Sequence, residues 1–278
     1  YHRCRSLESP RYSNEELLAA AGAVTLKDMQ SFQVNLLPEA AVEAFICGNV
    51  LPSEAAGIID QLQQALPTIP LPFGRQPIRR IRRVPLGATL QQFIASNPSE
   101  TNSAVELYFQ IGPDVGDTWV CLSLLAQLMN KPFYQSLRTQ QQIGYVVQCS
   151  SNELFGVRAL TLTVQSATTA PGDITSRVED FLKSFRVALA AVDAVEIANL
   201  GAKLAAQYED VDARLDTQAS RLWAECSQQR YDFQRPWSNA AKARQVTPAK
   251  LLNLFDTFIA DQGSGRRRLT THVFSPLR

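Results

Sequence analysis

Histidine is nearly missing from this chain: His2 and His272 are the only two in 278 residues, and they stand at opposite ends. A zinc-binding helix of the common type needs two histidines four residues apart on one face, and neither residue has such a partner. A serine nucleophile would have to borrow its base from one of the same terminal positions. His2 and Cys4 are two donors at one chain end, too few for a metal site. No G-x-S-x-G, P-loop or G-x-G-x-x-G spacing occurs, which excludes the nucleophile elbow and both phosphate-binding loops.

Excess charge of either sign is also lacking. The net charge of +1 removes the global electrostatic case for nucleic acid or an anionic membrane as partner. No window approaches the ~18 uninterrupted apolar residues that a membrane span requires. The five cysteines (Cys4, Cys47, Cys121, Cys149 and Cys226) are odd in number and widely spread. That is the pattern of reduced, buried thiols and a reducing, cytoplasmic compartment. Cys149 has no base near it in sequence and reads as one of those thiols, not as a nucleophile. The chain opens on Tyr1 without a signal-peptide pattern, so its natural start is expected upstream.

What is present is globular, with 45% hydrophobic and 19% charged residues, enough for a sizeable core. Ser13 with Glu16 and Thr25 with Asp28 form capping boxes that open two helices, the second reaching about Leu37. Ala41 to Cys47 (AVEAFIC) has the composition of a buried strand. Pro52-Ser53-Glu54 starts a helix with Ile58, Ile59, Leu62 and Leu66 on one stripe. Pro67, Pro70, Pro72, Gly74 and Pro77 then crowd into eleven residues and mark a linker and domain boundary. A strand bearing Arg79, Arg80, Arg82 and Arg83 follows. Those arginines form a basic patch for an acidic partner or, the preferred reading, an exposed edge kept soluble by charge.

Further on, Val105, Leu107, Phe109 and Ile111 alternate with Glu106, Tyr108 and Gln110, a half-buried strand. Strands are also expected over 91–95 and 155–164 and a closing one over 266–274. Thr118 to Met129 is apolar almost all round and predicts a buried helix. Ile174, Val178, Phe181, Phe185, Leu189 and Val192 fall on one helical face. More helices are expected over 195–211, 215–230 and 247–260. Strands in runs and helices in runs give an α+β fold, an antiparallel-rich sheet with helices packed on one face.

Pro132 to Ser150 (PFYQSLRTQQQIGYVVQCS) changes from helical to strand period within a few residues. Gly144 suits the left-handed residue just past a helix end. Arg138 then falls on the last helical turns and Tyr145 on the first strand position. Gln140 to Gln142 separate them, and no carboxylate lies nearby in sequence. On the residues alone, Arg138 is solvated, caps its helix or awaits an outside partner. Tyr145 is a core residue or flanks that partner's site.

LRTQQQIGYVV (Leu137 to Val147) resembles the substrate-contact segment of the pitrilysin and insulin-degrading zinc metallopeptidases, L-R-T-x-x-Q-L-G-Y-x-V, with Ile143 in place of leucine. EAFICGN, NSAVELYFQIG, SRVEDFL and LWAE followed by YDF resemble the C-terminal half of that family in the same order. The long-chain insulysin type fits better than the mitochondrial processing peptidases. This resemblance implies a clamshell of four α+β domains of the metallopeptidase (LuxS/MPP-like) type. Residues 1–70 would end the third domain, 71–85 form a Pro/Arg-rich linker, and 86–278 make the fourth, non-catalytic domain.

The same resemblance implies that zinc sits on an N-terminal half, held by H-x-x-E-H and a distant glutamate, with no cofactor or catalytic residue on this chain. Arg138 would hydrogen-bond a substrate carbonyl, and Tyr145 would polarise the scissile carbonyl or stabilise its oxyanion. The implied partners are a peptide substrate and the N-terminal half of the same enzyme, with a homo-oligomer allowed. Many members carry a lysine-glutamate pair where Gln140 and Gln141 stand, so Arg138 is expected to be less restrained here. A catalytically inactive structural or interaction module of the same family is the alternative.

Overall fold

The computed structural model describes every residue except Leu37, Pro67, Pro77, Ile78 and Arg278. The chain forms two compact units, each assembled from separated stretches: residues 8–80 with 211–233, and residues 1–7 with 81–210 and 234–278. One division falls after residue 80, within the stretch 71–85 expected as a linker, and residues 211–233 cluster with 8–80. Pro67 and Pro77, on which that linker partly rested, lie outside the described residues.

Elements are numbered along the chain. The smaller unit holds α2 (Asn14–Ala23), α3 (Leu26–Leu36), α4 (Pro52–Ala65) and α8 (Leu215–Ser227), with the two-residue strands β1 (Glu8–Ser9), β2 (Glu39–Ala40) and β3 (Ile69–Pro70). Both capping boxes form. The Ser13 N–H donates to Glu16 at 2.6 Å and the Glu16 N–H to Ser13 Oγ at 3.0 Å. Thr25 and Asp28 make the same exchange at 2.9 and 3.2 Å. Local signals therefore start these helices, but α2, α3 and α4 bury none of their residues. Leu18, Leu26, Phe32 and Val34 are exposed. The strand expected over Ala41–Cys47 is irregular backbone instead. A strand needs a partner, and among the described residues β2 finds only β3, over two residue pairs.

The larger unit is built on a five-stranded sheet of β5 (Gly87–Ile94), β6 (Ser103–Pro113), β7 (Val146–Leu154), β8 (Val157–Ser166) and β9 (Arg267–Phe274), in the order β5-β9-β6-β8-β7. Three of its four pairings are antiparallel, and β5 runs parallel to β9. Leu154 pairs with Val157, so β7 and β8 are joined by Phe155-Gly156 alone. Both residues have positive φ, 46° and 77°, as a twist-matched two-residue hairpin turn demands. That turn makes β8 start two residues later than the sequence suggests. β4 (Arg80–Ile81) is a two-residue strand, and the longer arginine-bearing strand does not form.

The core lies between one sheet face and the helices α5 (Thr118–Tyr134), α6 (Pro171–Ala190), α7 (Ala194–Glu209), α9 (Arg235–Ala243) and α10 (Pro248–Phe258). Ile174, Val178, Phe181, Phe185 and Leu189 are all buried along α6, as its spacing predicts. Phe133, Phe181, Phe185 and Phe255 run as a chain of rings with centroids 5.2, 5.8 and 5.9 Å apart. Each such side chain contributes about 1.5–3 kcal/mol on burial, which outweighs the helix propensity of any one residue. The opposite sheet face is not bare. Tyr108 and Gln110, expected to face water, are only 2% and 3% exposed. The short helix α1 (His2–Leu7) and Val84 cover that face, packing Leu7, Val84, Tyr108, Ala159 and Leu269 together. Among the described residues no helix is long and apolar enough to cross a membrane.

Candidate functional site

The corner that carries Arg138 and Tyr145 is built by a helix forced out of register. Pro132 sits inside α5 and has no N–H to give the helix ladder. Beyond Tyr134 the helix widens into a π turn over Gln135–Gln140. The Gln141 N–H reaches Ser136 O at 3.0 Å, a five-residue step. Such one-turn π segments are uncommon and concentrate at functional sites. Leu137 is fully buried within the turn and pins it to the core, while its neighbour Arg138 stays half-exposed.

The chain then leaves the helix through Gln142, at φ 51°. The Ile143 N–H closes back on Leu137 O at 3.0 Å, and the Ile143 side chain is buried. This is a glycine-type helix end one residue wider than usual, matching the π turn before it. The left-handed residue is thus Gln142 and not Gly144. Gly144 serves a different need: a Cβ there would lie 2.0 Å from Gln165 O on β8. Only glycine lets the backbone pass so close. The strap is completed by the Tyr145 N–H donating to Gln165 O at 3.1 Å and by Ser166 Oγ donating to Ile143 O. Ser166 Oγ in turn accepts the N–H groups of Thr168 and Thr169, at 3.1 and 2.9 Å.

On this rigid base Tyr145, one residue before β7, is 83% exposed. Its place is not in the core. The Arg138 guanidinium carbon lies 6.0 Å from the Tyr145 ring centroid, at the outer reach of a cation–π contact. Among the described residues no carboxylate pairs with Arg138 and no hydrogen bond holds its guanidinium. Five fixed N–H donors and one phenol therefore face outward at one corner. They can hold a peptide carbonyl or carboxylate. They cannot shuttle a proton at neutral pH on their own.

Two further residues build the corner, Gln141 and Ser166. Gln141 donates from Nε2 to Ser136 Oγ at 3.1 Å and accepts from Arg177 Nη1 of α6 at 3.4 Å. Gln141 thus ties the turn to the neighbouring helix without holding the Arg138 guanidinium. Ser166 was missed because nothing local marks it; it acts through a chain reversal 23 residues away.

The remaining candidates are accounted for structurally. Cys149 is buried, its Sγ 3.8 Å from Ala126 O, and burial pushes its thiol up to about 12. Burial likewise raises Cys121 to about 11. His2 stacks on Phe93 at 4.0 Å, and the next β9 residue beyond His272, Val273, pairs with Phe93. Alternation along the strands puts the two histidines on opposite sheet faces. Among the described residues no group of three or more His, Cys, Asp or Glu is placed to hold a metal ion. The residues present do not fit zinc.

Sequence and fold comparisons agree on the relatives. Residues 124–223 match the family model described as PQQ synthase PqqF-like, C-terminal lobe domain 4. A nardilysin-like protein of Arabidopsis thaliana is 28% identical over 99% of this chain and 27% of its own length. The insulin-degrading enzyme of Drosophila melanogaster is 28% identical over 99% of this chain and 28% of its own. The chain thus spans little more than a quarter of the length of these relatives. The crystal structure of pitrilysin superposes with a TM-score of 0.78 and 21% identity, covering 95% of this chain and 28% of that one. In sequence and in fold, the chain is similar to the C-terminal part of nardilysin-like and insulin-degrading enzymes and of pitrilysin.

Proposed function

We propose that this chain is the non-catalytic C-terminal portion of a zinc metalloendopeptidase that degrades peptides in a closed chamber. Arg138 holds a carbonyl of the bound peptide backbone. Tyr145 polarises the scissile carbonyl or stabilises its oxyanion. Zinc and the general base lie on an N-terminal half, which is the principal partner together with the peptide. On this reading residues 1–70 end a third family domain and 86–278 form a fourth. The five unpaired cysteines support a cytoplasmic setting.

The observation that carries the reading is the exposed, unpaired Arg138–Tyr145 corner on a backbone strapped in place by Gly144 and Ser166. A preorganised donor aimed at developing negative charge is worth about 2.7–4 kcal/mol, and such donors must be rigid and unoccupied beforehand. The exposed apolar faces of α2 and α3 support a further polypeptide as partner, because a soluble monomer rarely leaves so many such residues in water.

The test is reconstitution. The chain alone cleaves no peptide, and activity appears when a zinc-bearing N-terminal half is supplied in trans. In the reconstituted enzyme Arg138→Ala and Tyr145→Phe lower kcat/KM while melting unchanged. Unaltered kinetics in both variants would refute the site. Association with that half but no turnover, together with wild-type melting, would favour the inactive interaction module instead.

A further inference from the structure

We propose that a cavity at the bulged end of β6 binds a small oxyanion, a phosphate or carboxylate carried on an apolar body, between Arg83 and Arg267. The pairing of β6 with β8 shifts register between Gln110 and Gly112, and Gly112 has φ 134°. A bulge of this kind bends its strand and leaves one residue, here Ile111, without a counterpart. Against the bend lies a cavity of about 390 Å³ bounded by Ile81, Arg83, Ile111, Pro113, Val157 and Arg267. Its size is that of a small-molecule site. Its lining is largely aliphatic and includes two arginines from distant parts of the chain.

The walls are fixed before any ligand arrives. Gln110, buried at the bulge, donates to Arg82 O at 3.1 Å and accepts the Val84 N–H at 2.8 Å. Arg83 is therefore suspended between two anchored neighbours. Arg267 donates to Val84 O at 2.6 Å, which brings it to the same wall and leaves its other donors available. Among the described residues no carboxylate pairs with Arg83 or Arg267. Asp114, the residue just past the end of β6, is already held by Arg158 at 2.8 Å. Two cations at one cavity repel each other, and an oxyanion between them relieves the repulsion. Guanidinium forks suit phosphate and carboxylate alike. One arginine of the run at 79–83 thus acquires a partner that sequence alone could not supply. The cavity adjoins Val157 at the start of β8, whereas the Arg138 corner is strapped to its far end at Gln165.

Calorimetric titration of the 278-residue chain with phenyl phosphate and, separately, with hexanoate decides the matter. Saturable one-to-one binding of at least one probe is expected. Arg83→Ala should weaken it by about tenfold or more, the loss typical of removing one charge-assisted contact. Lys203→Ala, which removes an exposed cation on α7, should bind as the parent does. A response to phenyl phosphate alone assigns phosphate, to hexanoate alone carboxylate, and to both the shared chemistry. Arg267→Ala also loses the hydrogen bond to Val84, so the exposed Arg83 carries the decision, with a thermal melt to show the variant folded. No saturable heat with either probe overturns the proposal, as does undiminished affinity in folded Arg83→Ala.

Discussion

Replacing Gly144 with alanine tests whether the Arg138–Tyr145 corner depends on close backbone passage. The new Cβ would sit 2.0 Å from Gln165 O and 2.9 Å from its carbonyl carbon. Ordinary contact begins near 3.4 Å, so the strap must open by about 1.4 Å. Neither neighbour is a flexible side-chain tip; both are backbone of β8. Opening by that amount breaks the Tyr145 N–H to Gln165 O bond, about 1 kcal/mol. It also pulls Ile143 O from Ser166 Oγ, leaving buried polar atoms unsatisfied at about 1–3 kcal/mol. Together these give about 2–4 kcal/mol, or roughly 4–16 °C in Tm for a chain of this size. The control is Gly172→Ala on α6, whose Cβ would meet nothing within 4 Å and should shift stability by less than about 0.5 kcal/mol. Scanning calorimetry on both variants reads the difference. If Gly144→Ala melts no lower than Gly172→Ala, the strap does not hold the corner and the case for a preorganised site fails.

Other outcomes follow from the same structure. Arg158 is 1% exposed, stacks 3.9 Å over the Trp119 ring and pairs with Asp114 and Glu153. Arg158→Ala removes the buried cation from both pairs and its packing on Trp119, and should cost about 3–5 kcal/mol in urea unfolding; a loss under 1 kcal/mol would show the pairs are not formed. His272 is desolvated and faces Arg268, and both hold its imidazole below the ordinary value of 6.5. The unfolded chain therefore binds more protons as pH falls through 6.5, so this group's contribution is complete above that pH and is lost below it. His272→Gln should flatten the stability–pH slope between about pH 5 and 7; an unchanged slope excludes His272 as its source. Leu18, Leu26, Phe32 and Val34 should make the chain bind a hydrophobic dye, and an N-terminal half should suppress that fluorescence. Persistent dye binding in the complex would place the partner elsewhere.

The parts of this fold that were legible are those decided by neighbours in sequence. Ser13–Glu16 and Thr25–Asp28 cap their helices because a capping box needs only four residues. The stripe on α6 and the alternation on β6 were readable because one buried face imposes one period. What failed depended on distant partners. Ala41 to Cys47 has strand composition, but a sheet partner is not encoded locally. Tyr108 and Gln110 alternate as if solvated, yet α1 and Val84 arrive from far along the chain to bury them. Residues 211–233 join the smaller unit through contacts such as Tyr231 to Glu43, 2.6 Å across 188 residues. No local period foretells that.

At the candidate site the same division decides what each residue does. The pair Arg138 and Tyr145 was visible as chemistry, a cation and a phenol across a helix-to-strand switch. What fixes the backbone beneath them was not visible, because it lies in Pro132, Ser166, Arg177 and the carbonyl of Gln165. Leaving Arg138 unpaired costs little, since a half-exposed guanidinium keeps much of its hydration, whereas a surface ion pair would add only about 0–1 kcal/mol. Stability therefore gives no reason to supply a carboxylate there, and a carboxylate would occupy donors that are otherwise open to a ligand. The strap is the opposite case. A glycine pressed against β8 and a buried serine are positions where most substitutions lose stability. The corner thus combines an inexpensive unpaired charge with a costly rigid backbone, which is the combination a binding site requires and a solvated helix end does not.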